Sequence, residues 1–187
     1  GGMSRRVVVT GMGVISPLGN DLPSTWRACL AGECGVTTIS HFDASQYPTR
    51  IAAEVKGFDP SRHFSAREIR RMDPVVQLAR VAAREAVADA AIHFGDSTAE
   101  RTAAIIGSGI GGITTLASQV TLLNERGPGK VSPFFIPMIL PETCSSMVAM
   151  EYGLKGPNLA VASACATGAN AIGEAFEMIR RGAADVA

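Results

Sequence analysis

Apolar residues recur along this chain in short runs that alternate with helical stripes. Arg5-Arg6-Val7-Val8-Val9-Thr10 predicts a short buried strand, after which Gly11-Met12-Gly13 turns the chain. Residues 21–30 predict a helix, with Pro23 near its first turn and Gly32 just past its end; proline's missing N–H suits the start of a helix and glycine its end. Residues 33–64 read as loop around a short strand at 51–55. Ser65 to Asp89 reads as one long helical region bent near Pro74, with Val75, Leu78, Ala79, Ala82, Ala86 and Ala90 three or four positions apart. A second buried strand is predicted at 102–106, a helix at 113–124 ending near Gly127, and a proline-punctuated loop at 133–141. A helix at 142–152 closed by Gly153 follows, then a strand at 159–164 and a helix at 166–181. Arg180, Arg181 and Gly182 give that last helix favourable C-terminal chemistry. Strands alternating with helices predict an α/β layered fold. A new strand begins at Ala184, and a fresh apolar strand needs neighbours on both sides, so the sequence reads as a piece of something longer.

The chemistry concentrates at Ala164-Cys-Ala-Thr-Gly-Ala-Asn170. This segment delivers a cysteine from the end of an apolar run to the first turn of a helix. Free N–H groups and the positive end of the helix dipole stabilise a thiolate there. The same N–H groups can receive the oxyanion of a tetrahedral intermediate. The alternative is a buried structural cysteine at a strand-helix junction.

Composition narrows the choice. The chain has 187 residues, 47% hydrophobic and 18% charged, enough for one globular domain with a real core. Seventeen basic and seventeen acidic residues cancel, so net charge points to neither nucleic acid nor membrane. No apolar run reaches the roughly 18 residues of a membrane span. Cys29, Cys34, Cys144 and Cys165 are irregularly spaced, which suits a reduced, cytoplasmic protein. Cys29 and Cys34 with His41 lack the paired spacing of structural zinc. Gly1-Gly2 before Met3 reads as an expression remnant.

One motif points elsewhere. Gly107-x-Gly109-x-x-Gly112 matches the dinucleotide fingerprint between a strand and a helix. No acid stands about twenty residues on to hold a ribose, however, and the motif lies far from the first βα unit. These glycines are expected to let the backbone pass close to another segment or a ligand.

Several stretches together resemble the β-ketoacyl-acyl-carrier-protein synthases, the condensing enzymes of fatty-acid synthesis, in their elongating type. They are Val7–Gly13 with Ser16-Pro-Leu-Gly19, Arg70-Arg-Met-Asp73, Gly107–Gly112, Ser132–Pro137, Tyr152–Pro157 and Ala164–Gly168, in the family's order. The resemblance implies a thiolase-like fold of αβαβα layers, with residues 4–187 as the N-terminal portion and the C-terminal half absent. It implies a homodimer, no metal or other cofactor, and acyl-carrier protein as partner in acyl and malonyl forms. Cys165 is then the nucleophile of a decarboxylating condensation. Ile110 and Phe135 correspond to residues shaping the acyl tunnel, the second reaching across from the partner subunit; the alternative for Phe135 is ordinary loop packing. Arg67, Arg70, Arg71 and Lys130 correspond to the basic patch that receives the acidic carrier; the alternative is a solvated face paired with Glu68 and Asp73. The family's two histidines and lysine match none of His41, His63 or His93, so this chain alone is expected not to condense. Glu142-Thr-Cys-Ser-Ser146 departs from the family's pattern near the acyl pocket. The alternatives are a polyketide ketosynthase and a non-catalytic partner that sets chain length, although the latter usually lacks the cysteine.

Overall fold

The computed structural model describes residues 5–187; the expected remnant, Gly1-Gly2, and the Met3 that follows it lie outside the described residues. The chain forms two compact units. The first comprises the described residues through Val9, Phe64–Arg80 and Ile92–Ala187, and the second comprises Thr10–His63 and Val81–Ala91.

In the second unit, helix α1 (Leu22–Leu30) starts where expected. Asp21 caps it, accepting from the Ser24 N–H at 2.7 Å, and Pro23 sits in its first turn. Strands β1 (Thr37–Thr38) and β2 (Ile51–Ala52) form a short antiparallel pair. The expected strand at 51–55 is thus real but shorter. This unit also holds the Ala-rich end of a helix, from Val81 onward. Glu85 accepts from the N–H groups of Val14 at 2.9 Å and Leu22 at 2.7 Å, and Asp89 accepts from Met12 at 2.9 Å. Two carboxylates on one helix face thereby satisfy donors of the preceding loop and of the α1 N-terminus.

The first unit begins its helical run with α2 (Ala66–Ile69), closed by a reciprocal capping box between Ser65 and Glu68. The expected single bent helix is two. The chain stops at Arg70 and restarts as α3 (Pro74–Asp89), because Pro74 has no N–H to continue a helix but suits the first position of a new one. Asp73 caps that restart. One of its oxygens accepts from the Val75 N–H at 3.0 Å and the other from the Thr115 N–H at 2.8 Å. Thr115 lies in the first turn of α5 (Ile113–Arg126). A carboxylate only 2% exposed therefore holds the N-terminal ends of two helices. Nearby, Arg80 is buried. Its Nε donates to Glu151 at 2.8 Å, Nη1 reaches Glu68 at 3.4 Å and Met72 Sδ at 3.1 Å, and the guanidinium lies over the Phe64 ring.

The sheet of this unit is parallel. β3 (Ala104–Ile105) pairs with β4 (Asn158–Leu159) in the register Ala104 to Asn158 and Ile105 to Leu159. On its other side, Thr102 makes a parallel bridge to Val186, where the new strand was expected. Ala103, Met178 and Ala184 form one buried cluster of the core, with Ile105 and Leu159 packed against it. Arg101 grips Asp185 with two bonds of 3.0 and 3.1 Å, and Arg5 adds a third at 2.6 Å. These bonds hold the Asp185 carboxyl at about 2, below its ordinary 3.8. The stabilisation exists above pH 3.8 and is lost as pH falls through about 2.

Helix α7 (Thr143–Tyr152) buries Cys144, Ser145, Val148 and Ala149 and ends at left-handed Gly153. Helix α8 (Thr167–Arg180) ends in paired bonds, Gly182 N–H to Ile179 and Ala183 N–H to Met178, with Gly182 at φ +77°. Three further expectations change. Residues 5–10 form no strand among the described residues, and Val8 and Val9 are 55% and 76% exposed, since no neighbouring strand pairs with them. The expected loop at 133–141 contains a short helix, α6 (Phe135–Ile139), in which Pro137 falls in the first turn and forfeits no helical bond. Helix α4 (Asp96–Glu100), too short for a periodic signal, was not foreseen.

Replacing Asp73 with Ala is expected to cost about 2–4 kcal/mol, since two buried helix ends lose their acceptor. Asp73→Asn, which keeps one acceptor oxygen, costs less. Urea midpoints of the two variants check this order.

Candidate active site

The chain reverses from β4 into α8 through residues 160–166. Its sharpest point is Ala164, at φ +51°, a left-handed backbone that costs a residue with a Cβ about 1–2 kcal/mol. Neighbouring bonds hold it there. The Ser163 N–H donates to Thr167 Oγ1 at 2.9 Å, and the Ala166 N–H to the Ser163 carbonyl at 3.1 Å. The Thr167 N–H donates to the Ala164 carbonyl, and Asn170 Nδ2 to Ser163 Oγ. Thr167, the first residue of α8, is buried, and Cys165 is exposed in the single 3₁₀ turn Ala164–Ala166 that leads into that helix. The Cys165 N–H has no acceptor among the described residues. A thiol and an unengaged N–H thus share one residue at a helix N-terminus, an arrangement suited to attack on a carbonyl and to holding its oxyanion. In this chain Cys165 is exposed, unlike the buried structural cysteine of the alternative reading.

The glycine loop closes against this turn. A Cβ at Gly107 would collide with the Val161 carbonyl and the Thr167 side chain, and one at Gly109 would lie 3.5 Å from the Ala164 carbonyl. Gly111, at φ +83°, and Gly112 run against the Ile139 and Met138 carbonyls of α6. The glycines serve close backbone approach, the role expected of them. Ile110, in this loop, is 69% exposed. Phe135 opens α6 and is half-buried. The fold therefore sets the Ile110 loop against the cysteine turn and α6 against that loop. An open cleft of about 510 Å³ flanks the turn, bounded by Val161, Ala162, Ser163, Asn170, Phe176 and Glu177 among others. Ser163, Thr167 and Asn170 were not singled out from sequence. Their role is to hydrogen-bond the turn, and a polar residue either side of a cysteine is too common to signal it.

Arg67, Arg70, Arg71 and Lys130 are all exposed, on α2, just after it, and in a single 3₁₀ turn at Pro128–Lys130. The expected alternative, pairing with Glu68 and Asp73, does not occur. Glu68 is bonded to Ser65 and Arg80, and Asp73 to backbone N–H groups. Arg71 instead lays its guanidinium over the Phe134 ring at 4.2 Å. Among the described residues no group of three or more His, Cys, Asp or Glu side chains is placed to hold a metal.

Cys144 is the opposite of Cys165. It is 1% exposed on α7, and burial, with the Asp73 charge second, pushes its thiol from 9.0 to about 11. Its folded value lies above the unfolded one, so burying the neutral thiol favours folding below pH 9.0, and this contribution is lost as pH rises through about 11.

Residues 4–187 match the family described as "Beta-ketoacyl synthase, N-terminal domain". The chain belongs to that family, and its fold is thiolase-like. It is 47% identical over 182 residues to a 3-oxoacyl-[acyl-carrier-protein] synthase 2 of Staphylococcus aureus, covering 97% of this chain and 44% of the relative. A protein of the same name from Coxiella burnetii is 46% identical over 181 residues, with the same coverage. Among solved structures, the ishigamide ketosynthase/chain length factor superposes with a TM-score of 0.86 at 31% identity, covering 97% of this chain and 45% of that one. A type II polyketide synthase acyl-carrier protein in complex with its ketosynthase bound to the hexaketide gives 0.79 at 25%, covering 97% and 49%. The chain thus spans under half the length of the curated relatives it matches.

Iodoacetamide at pH 8 on the folded protein is expected to modify Cys165 and to leave Cys144 unmodified until denaturant is added. Peptide mapping by mass spectrometry checks both sites, and modification of native Cys144 at a rate matching Cys165 contradicts the burial argument.

Proposed function

We propose that this chain carries the acyl-accepting site of a 3-oxoacyl-[acyl-carrier-protein] synthase of fatty-acid elongation, in a protein of its relatives' length. The observation that carries the reading is the exposed Cys165 thiol, joined on one residue to an unengaged N–H at the head of α8. The Cys165 sulfur attacks the carbonyl of an acyl thioester on the carrier. The Cys165 N–H receives the oxyanion, the carrier thiolate departs and takes a proton, and the acyl chain is left on Cys165. A malonyl group on a second carrier then loses carbon dioxide. Its carbanion attacks the Cys165-bound acyl carbon, and the thiolate leaves again. The product is a carrier-bound 3-ketoacyl chain two carbons longer. His41, His63 and His93 stand outside this chemistry, and the groups that assist decarboxylation belong to the rest of such a protein.

Ile110 lines the acyl chain's path in this reading, supported by the contact of its loop with the cysteine turn, and Phe135, on the α6 that packs against that loop, reaches the path of the partner subunit. Arg67, Arg70 and Lys130, exposed and without carboxylate partners among the described residues, supply the field that steers an acidic carrier. A homodimer in the cytoplasm completes the proposal. No helix among the described residues is long and apolar enough to cross a membrane. A polyketide ketosynthase is the second reading, favoured by the 0.79 superposition on the ketosynthase of a type II polyketide synthase. The 47% identity to fatty-acid relatives, against 25% there, supports the first.

Incubating the full-length protein with acyl-carrier protein bearing a saturated acyl chain is expected to add that acyl mass to Cys165. Cys165→Ala abolishes the adduct and lowers condensation at least ~10³-fold, a loss typical of a removed nucleophile. One condensation per acyl chain supports the fatty-acid reading, repeated condensation the polyketide one, and an adduct elsewhere defeats both. Arg67→Glu should raise KM for the carrier several-fold at low salt and flatten its salt dependence, with kcat little changed. Initial rates at ~20 and ~200 mM salt, spanning Debye lengths above and below 10 Å, test it.

A further inference from the structure

Arg71 differs from the neighbouring cations in what it touches. Its guanidinium carbon lies 4.2 Å from the centroid of the Phe134 ring, well inside the range at which an aromatic face attracts a cation. Its backbone is fixed. The Arg71 N–H donates to the Glu68 carbonyl at 2.9 Å, and the next two residues, Met72 and Asp73, are buried. Phe134 directly precedes α6. Its N–H donates to Ser132 Oγ at 3.1 Å, while the Ser132 N–H donates to Gln119 Oε1 of α5 at 2.7 Å. The Phe134 carbonyl accepts from the Met138 N–H at 3.0 Å, and the Ile139 carbonyl accepts from the Gly112 N–H at 3.1 Å. An unbroken series of contacts thus runs from Arg71 through Phe134 and α6 to the loop that carries Ile110. No ring or carboxylate engages Arg67 or Arg70 among the described residues.

We propose that Arg71 is a positioning residue for the acyl site: stacked on Phe134, it fixes α6 and with it the wall formed by Phe135, while Arg67 and Arg70 are left to meet the carrier. The inference rests on the proposed function only in taking Phe135 and Ile110 as that wall. A guanidinium suits the task because it is planar, stays charged across the working pH range and stacks flat, which an ammonium does not. A pre-set wall favours a long acyl chain selectively, since small molecules reach the exposed Cys165 without it.

The test compares two probes of Cys165 in the full-length protein, iodoacetamide and its N-dodecyl analogue, with peptide mapping to follow each rate. Arg71→Gln and Phe134→Leu are each expected to lower the ratio of long-chain to short-chain labelling at least about threefold, the size a lost cation–π contact implies. The double variant falls no further, Arg71→Lys recovers part of the ratio, and Arg67→Gln leaves it unchanged. An unchanged ratio in Arg71→Gln, or an equal fall in Arg67→Gln, overturns the proposal. Should Arg71→Gln fail to fold, Phe134→Leu decides alone. Carrier-dependent condensation is measured beside it in the unmodified protein: its absence defeats the proposed function, whereas the labelling ratio still decides the role of Arg71.

Discussion

Everything at the candidate site depends on one close approach of backbone to backbone. The loop beginning at Gly107 runs so near the chain at Val161 and Thr167 that no side chain fits between them. That contact braces the turn in which Ala164 adopts a left-handed conformation. Such a conformation persists only when its surroundings over-determine it. Here the surroundings are Thr167 accepting from Ser163, Asn170 donating to Ser163, and the glycine loop behind. The turn leaves Cys165 exposed, with its N–H free of any acceptor among the described residues.

Away from the site, the first unit relies on buried polar groups that are fully engaged. Asp73 joins two helix ends, and Arg80 joins α2, α3 and α7 through Glu68 and Glu151. Among the described residues no buried side-chain nitrogen or oxygen lacks a partner. Buried charges of this kind add little net stability, because desolvation offsets attraction, but breaking one partnership is costly. Their effect is on uniqueness of arrangement. With small residues such as Ala103, Ala149 and Ala184 in the core, shape alone would let helices slide, whereas directed bonds to Asp73 and Arg80 permit one position.

The sequence was most legible where local chemistry acts. Pro23 near the start of α1, Gly153 and Gly182 mark helix ends by local chemistry, and those ends stand where they were expected. Cys165 was legible for the same reason: a strand-to-helix turn of small residues is a local signature. Pairing was less legible, because it depends on distant partners. Val7–Val9 read as a strand, yet apolarity specifies burial and not a neighbour, and none pairs with it among the described residues. The fate of Asp73 was hidden too. It read as a possible partner for surface arginines, and only the fold brings Thr115, 42 positions on, to its second oxygen.

The Gly-x-Gly-x-x-Gly motif shows how the same letters serve two opposed physical ends. A pyrophosphate binds such a loop because glycines leave room and the following helix offers free N–H groups. In this chain the room is filled by Val161 and Thr167 on one side and by Met138 and Ile139 on the other. The N–H groups are engaged as well: Gly111 donates to Ser108 Oγ, Gly112 to the Ile139 carbonyl, Ile113 to the Gly111 carbonyl, and Thr115 to Asp73. A carboxylate already stands at the helix end where the phosphate's charge would go, and a second anion there would be repelled. Space and donors are therefore both committed within the chain: the space to the cysteine turn and α6, the donors to Ser108, Gly111, Ile139 and Asp73. The spacing of glycines identifies a place where backbone must come close to something, and only the surrounding residues decide whether that something is a ligand or another strand of the same chain.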